Sequence, residues 1–302
     1  MYRTEKLAEK LKKDPIQLEP ICIASYSRPE ASLLHEMKQN TIFKGSLLFI
    51  RKEEYDIYEK WGDFFKIVKL FNVDNIGDTR RVLVNYCVKH GIDSIYMLDD
   101  DINEVQYLIP SRTSGGVECM RTYSVVNQVK KAVDPIAFMM WQYIIDEKCS
   151  QEVVLSAPVY RPFSWALKHK NAKLQYNAAD CIQCIRLNIK MLYDNNINYR
   201  STKIVGPSDY ALQFDCMSKG LKTIQLKDIE YGAKAMGDGD GGCSASEYNV
   251  LFNGDMNKVM EDRHRRFMEN VCGYDHPGIR SKITRKTGRI SPAFNWKYWR
   301  SL

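Results

Sequence analysis

Along the first hundred residues, apolar and polar positions change period in alternating blocks. Ile21 to Ser25 is a short apolar run and reads as a strand. Ser27-Arg28-Pro29-Glu30 then opens a helix with Leu33, Leu34 and Met37 on one face, Ser27 serving as its cap and Pro29 lying in its first turn. Ser46 to Ile50 and Phe65 to Leu70 read as two more strands. Asp78 is expected to cap a helix that carries Val82, Leu83 and Tyr86 and ends at Gly91. Ser94 to Leu98 is the fourth apolar run, and Asp99-Asp100-Asp101 follows it at once. This alternation predicts an α/β fold, a mainly parallel sheet with crossover helices on its faces.

The pattern continues with a helical stretch from Thr122 to Glu147, interrupted at Pro135, and a strand from Val153 to Pro158. Ile182, Ile185, Ile189 and Leu192 recur at helical spacing, which predicts an amphipathic helix from Asp180 to Asn195. Lys203 to Val205 reads as extended, and Ser208 or Asp209 starts a helix that stops at Lys219-Gly220. A strand from Lys222 to Tyr231, a Gly-rich loop at Gly237 to Gly242 and a helix from Met256 to Val271 closed by Gly273 complete the reading. Without an internal repeat or a Ser/Pro-rich linker, the expected division is a charged segment at 1–20, one α/β domain at 21–275 and a basic, aromatic extension at 276–302.

Composition narrows the function classes. Of 302 residues, 44% are hydrophobic and 27% charged, an ordinary globular balance. No apolar run reaches the roughly 18 residues a membrane span needs, and the charged N-terminus lacks a signal peptide's apolar region. Nine scattered cysteines point to reduced thiols in a cytoplasm, the host's for a viral protein. Cys181-x-x-Cys184 has no second pair to complete a zinc site. The net charge is +7, and residues 276–302 carry seven Lys or Arg and no acid, interleaved with Phe294, Trp296, Tyr298 and Trp299. That mixture suits either a nucleic acid, with phosphates on the cations and bases on the rings, or a solvated tail whose aromatics dock on the core.

The chemistry is concentrated at Asp99-Asp100-Asp101. Carboxylates at the carboxyl end of a strand lie where open α/β sheets bind ligands. Three together repel one another and call for a cation, most simply Mg²⁺ or Mn²⁺ shared with substrate phosphates. A calcium loop is excluded because Glu104 and Pro110 occupy the sixth and twelfth positions. An aspartyl phosphatase is disfavoured because Ile102-Asn103 follows the acids. Two-metal nucleotidyl transfer stays open but needs a further acid.

Strand Ile21 to Ser25 with Tyr26-Ser27-Arg28-Pro29, the acid triplet, and Gly206-Pro207-Ser208-Asp209-Tyr210 opening a helix together resemble a GT-A glycosyltransferase over roughly residues 20 to 232. The Ser-Arg-Pro start, the triplet and the basic tail are most similar to the TET-associated and bacteriophage branch, linked to sugar transfer onto 5-hydroxymethylated pyrimidines in DNA. The resemblance implies a Rossmann-like, mixed and mainly parallel sheet flanked by helices, and a nucleotide-sugar donor, read as a UDP-sugar. It implies Mn²⁺ or Mg²⁺ held by Asp99 and Asp101, with nucleotide-sugar contacts from Ser25, Tyr26, Arg28, Arg80, Asp99 and Asp100. Asp209 becomes the general base, although as the first helical acid it equally suits a cap. His276 and Asp240 are candidates for a third metal ligand, and Arg81 for a nucleotide contact. The acceptor that the resemblance implies is double-stranded DNA carrying 5-hydroxymethylcytosine. A protein or polysaccharide acceptor, and a non-catalytic nucleic-acid binder, are the competing readings.

Overall fold

The computed structural model describes residues 4–112, 115–116, 118–128, 132–160, 174–200, 207–233, 252–253, 255–284 and 288–302. The expected strand at Lys203–Val205, the Gly-rich loop at Gly237–Gly242 and Asp240 lie outside these residues.

Four strands, β1 (Ile21–Ala24), β2 (Leu47–Arg51), β3 (Lys66–Leu70) and β4 (Ser94–Asp99), fall where the apolar runs place them. With β5 (Ile102–Arg112), β6 (Glu118–Thr122), β7 (Val153–Tyr160), β8 (Cys184–Asn188) and β9 (Lys222–Ala233), they form a nine-stranded sheet in the order β3-β2-β1-β4-β8-β7-β9-β5-β6. Only β8 and β5 run against the other strands. Helices α1 (Thr4–Lys13), α2 (Ser32–Lys38) and α6 (Pro135–Lys148) share one apolar cluster with the sheet. A second cluster joins the sheet to α4 (Ile76–Lys89), α7 (Ile189–Asp194) and α8 (Ser208–Ser218). The short α3 (Tyr55–Tyr58) and α5 (Tyr123–Asn127) sit in connections. The architecture is therefore the mixed, mainly parallel, helix-flanked α/β sheet that the sequence predicts. Among the described residues no helix is long and apolar enough to cross a membrane.

Four local expectations are corrected. Ser27 does not cap α2, which begins at Ser32. Instead Ser27 takes a left-handed φ of 53° and donates its N–H and Oγ–H to Glu54 Oε1. The cap of α4 is Asn75, while Asp78 sits three residues later and answers it. Asp78 N–H donates to Asn75 Oδ1 and Asn75 Nδ2 donates to Asp78 Oδ2, a reciprocal capping pair. Pro135 does not interrupt a helix but opens α6, where its missing N–H has no intrahelical partner to lose. The predicted helix at Asp180–Asn195 is divided: Cys184–Asn188 is β8, a strand inserted antiparallel between β4 and β7 and buried along Cys184–Leu187, and the helix is confined to Ile189–Asp194, α7. A strand buried on both faces loses its polar alternation, so Ile185 matches the helical spacing by coincidence, whereas Ile189 and Leu192 do lie on one face of α7.

Beyond the sheet, α9 (Met256–Phe267) leads to an antiparallel hairpin, β10 (Ile279–Ile283) with β11 (Ile290–Phe294), and to α10 (Trp296–Trp299). Ile279, Phe294 and Trp299 are buried with Ala211, Phe214 and Met217 of α8 and Phe267 of α9. Phe294 and Trp299 are thus core side chains and offer no face to a base, while Trp296 and Tyr298 are half-buried against the same cluster. Gly278 makes this docking possible. Trp299 Nε1 donates to its carbonyl at 2.7 Å, and a Cβ there would meet the indole ring at 2.6 Å. Gly278→Ala is expected to displace Trp299 and cost about 1–3 kcal/mol. Urea unfolding followed by tryptophan fluorescence measures this; an unchanged midpoint would contradict the packing argument.

Candidate active site

Sheet order reverses at β1, because β2 lies on one side of it and β4 on the other, and such switch points open a crevice at the strands' carboxyl ends. Ala24 of β1 is in register with Asp99 of β4, so the Ser25–Arg28 loop and the acid triplet emerge side by side. The three carboxylates then take three different partners.

Asp99 belongs to Arg80. Nη2 of Arg80 donates to both Asp99 oxygens, at 2.6 and 2.9 Å. Nη1 donates to Ser208 Oγ and Asp209 Oδ1, each at 2.9 Å. The first turns of α4 and α8 therefore meet the end of β4 through one guanidinium, whose side chain is 5% exposed. Burial works against this charge, but Asp209 and Asp99 outweigh it and hold the Arg80 pKa well above its usual value. Tyr199 completes the group: its hydroxyl donates to Asp209 Oδ1 at 3.3 Å, and its ring lies 5.7 Å from the guanidinium carbon. Burial pushes the Asp209 carboxyl up, and Arg80 opposes it.

Asp100 belongs to the loop after β1. It accepts from Ser25 Oγ at 2.6 Å and from Arg28 Nη1 at 2.9 Å. Tyr58 of α3 braces the same loop, its hydroxyl 2.7 Å from Ser25 Oγ and accepting the Arg28 N–H at 2.9 Å. Burial raises the Tyr58 phenol to about 12, so it stays a neutral donor and acceptor. Burial also raises Asp100, against the pull of Arg28 and Ser25.

Asp101 is left over. Its Oδ2 lies 3.8 Å from Arg28 Nη1, and its Oδ1 is buried with no hydrogen-bond partner. Burial, with Asp99 and Asp100 adding repulsion, pushes its carboxyl up to about 7. An orphaned buried oxygen beside two other acids is what a bound cation would relieve. Among the described residues, no group of three or more His, Cys, Asp or Glu is arranged to hold a metal ion. The protein's share of such a site would be Asp101, with substrate phosphates and water filling the remaining positions, as Mg²⁺ sites commonly allow.

The other expected residues are placed as follows. Tyr26 is half-buried under the Arg51 guanidinium, 3.8 Å from its ring centre, at the mouth of the same loop. Arg81 pairs with Asp78 on the surface of α4 and leaves the network to Arg80. His276 lies in the aromatic cluster of the tail, stacked on Trp299 and accepting the Gly278 N–H at its Nδ1. Sequence reading missed Tyr58 and Tyr199. Both lie in short or irregular segments, where no periodicity marks a polar tip turned inward.

The model of the TET-associated glycosyltransferase family matches residues 19–242. A search of curated proteins returns no match. Among solved structures, the chain is similar to GalNAc-T7 crystallised with UDP, GalNAc and Mn²⁺, at 10% identity and a TM-score of 0.42. That alignment covers 73% of this chain and 44% of GalNAc-T7, so this chain spans less than half of that one. It is also similar to a CMP:2-keto-3-deoxy-manno-octonic acid synthetase complexed with CTP, at 8% identity and a TM-score of 0.40, over 74% of this chain and 93% of that one. A 4-diphosphocytidyl-2C-methyl-D-erythritol synthase from Anaerococcus prevotii aligns at 9% identity and a TM-score of 0.38, over 72% and 88%. These likenesses are too distant to carry an assignment. The family match is of another order: it takes in β1, the acid triplet and both ends of the Arg80 network, and by it the chain belongs to the TET-associated glycosyltransferase family and is a glycosyltransferase.

Proposed function

We propose that the protein transfers a sugar from a nucleotide-sugar donor, a UDP-sugar, to the hydroxyl of a 5-hydroxymethylated pyrimidine, 5-hydroxymethylcytosine, in DNA. The observation that carries the donor half is the unpartnered Oδ1 of Asp101 at the sheet's switch point, beside the Arg28–Asp100 pair. Asp101 would hold the divalent cation, Mn²⁺ or Mg²⁺. When bound, such an ion neutralises a diphosphate and polarises its leaving oxygen. Asp99 was expected to share this work, but both of its oxygens accept from Arg80, which favours a role in orienting the site.

The chain's own groups do the rest. Ser25, Arg28 and Tyr26 line the loop that receives the nucleotide, and Asp100 fixes that loop through Ser25 and Arg28. Arg80, aimed by Asp99, holds Asp209 at the start of α8. Asp209, with 12% of its side chain exposed, accepts the acceptor hydroxyl's proton as the new bond forms. In a duplex the acceptor base has to leave the stack to reach a carboxylate so recessed. The acceptor half rests on the family and on the cationic surface that adjoins α8.

Two outcomes follow. The Asp101 pKa lies above its ordinary 3.8, so the metal-free folded state holds an extra proton between about pH 4 and about pH 7 and loses stability as pH rises through that window. Asp101→Asn should therefore melt several degrees above the wild type at pH 8 and level with it near pH 4. Mn²⁺ should raise the wild-type melting temperature at pH 8 and leave the variant unmoved. Equal pH profiles for the two proteins would remove the cation site.

The second outcome is sugar transfer from radiolabelled UDP-sugars to hydroxymethylated duplex DNA and not to unmodified DNA. Asp209→Asn should lower that rate by about two to four orders of magnitude while calorimetry shows donor binding retained. Transfer to a protein or polysaccharide and not to DNA would overturn the acceptor, and a rate untouched by Asp209→Asn would overturn the base.

A further inference from the structure

The hairpin β10–β11 is a two-stranded sheet separate from the main one, and its two faces differ. Side chains alternate across a strand. Ile279 and Phe294, paired in register, turn inward and are buried against α8 and α9, and Ser281 follows on the same face, 2.8 Å from His264 Nε2. The opposite face carries Arg280 and Lys282, both exposed, paired in register with Ala293 and Ser291. Two cations thus stand on an open ribbon whose neighbouring positions are small. No acid interrupts the sequence from His276 to Leu302.

The ribbon's position is as informative as its charge. Phe294 stacks on Tyr210 with ring centres 5.2 Å apart and planes 7° from parallel. Tyr210 is the residue after Asp209 and donates its hydroxyl to Asp180 at 2.9 Å. Lys282 lies close enough to Asp180 to draw its pKa down, against the larger effect of burial. The root of the hairpin is therefore fastened to the turn of α8 that presents Asp209. Of the acids on and just beyond α9, Asp262 and Glu269 are engaged by Arg265 and Arg266, and Glu261 is exposed.

We infer that the Arg280–Lys282 face of this hairpin docks the phosphate backbone of duplex nucleic acid and so delivers the acceptor to Asp209. This deepens the DNA reading proposed above and rests on it. The partner is chosen by charge complementarity: regularly spaced phosphates suit cations two residues apart along a strand, and the contacts are independent of sequence. Of the tail's aromatics, Phe294 and Trp299 are buried in the core, and Trp296 and Tyr298 are half-buried against it.

The test compares Arg280→Ser/Lys282→Ser with Lys44→Ser/Lys66→Ser, an equal charge change at exposed positions beside β2 and β3. Affinity for a hydroxymethylated duplex is measured by fluorescence anisotropy between 50 and 200 mM salt, with melting temperature as the fold check. The hairpin variant should bind roughly tenfold more weakly at the upper salt, and its log–log salt slope should shrink by about two. The control pair should bind within about twofold of the wild type. Equal weakening in both variants would make the effect one of net charge and overturn the assignment. If the wild type glycosylates the duplex and the hairpin variant binds it unchanged, the hairpin role alone falls. Should the wild type neither bind nor glycosylate the duplex, the DNA reading falls with it. Binding to anionic vesicles but not to DNA would likewise overturn the proposal.

Discussion

Negative charge at the end of β4 is the constraint around which the rest of this site is arranged. Three successive carboxylates emerge from a buried strand, and a buried carboxylate without a cation is strongly disfavoured. Asp99 is answered by Arg80 from α4, and Asp100 by Arg28 from the loop after β1. Asp101 has only a distant contact with the same Arg28, and one of its oxygens has no partner. Two of the three acids are thus part of the fold, and the third is left for a ligand. That division follows from topology, because β1 is the neighbour of β4 and α4 is the helix that leads into it.

The same constraint explains why the network reaches Asp209. A guanidinium buried between carboxylates has five donors to satisfy. Asp99 takes Nη2, while Ser208 and Asp209 take Nη1. The start of α8 is thereby pinned to the end of β4, although 110 positions separate Asp99 from Asp209 in sequence. Buried ion pairs contribute little to stability compared with apolar replacements of the same shape. Their use here is geometric, in fixing the distance and orientation of an acid on α8 relative to acids on β4.

The sequence made the first hundred residues legible because each strand there is short, apolar and bounded by turn or helix signals. The acid triplet stood out for the same reason, as charge placed directly after a buried run. The reading failed at β8, where burial on both faces removed the alternation that distinguishes strand from helix. It also placed two caps wrongly. Ser27 and Asp78 have cap chemistry, but a glutamate on another segment took the first, and a better-placed asparagine took the second. The site's partners were legible only in part. Arg80 was visible as a cation on a helix leading toward the acids, but its simultaneous grip on Asp209 depends on how α4 and α8 pack, which no local pattern encodes.

The tail shows how packing redistributes a sequence signal. Its composition mixes cations with large aromatics, and both could be assigned to one ligand. Folding separates them: the rings fill the space between α8 and α9, and the hairpin lifts two of the cations onto an open face. The separation has a physical cause. An aromatic ring gains more from burial than any exposed stacking partner could offer an unliganded protein, whereas Lys and Arg lose by it. The apolar half of the tail therefore becomes an anchor, and its contact with Tyr210 sets where the charged half is held relative to Asp209. An extension that reads as a mixture of cations and rings is, once folded, a ribbon anchored by its rings beside the proposed acceptor side of the site.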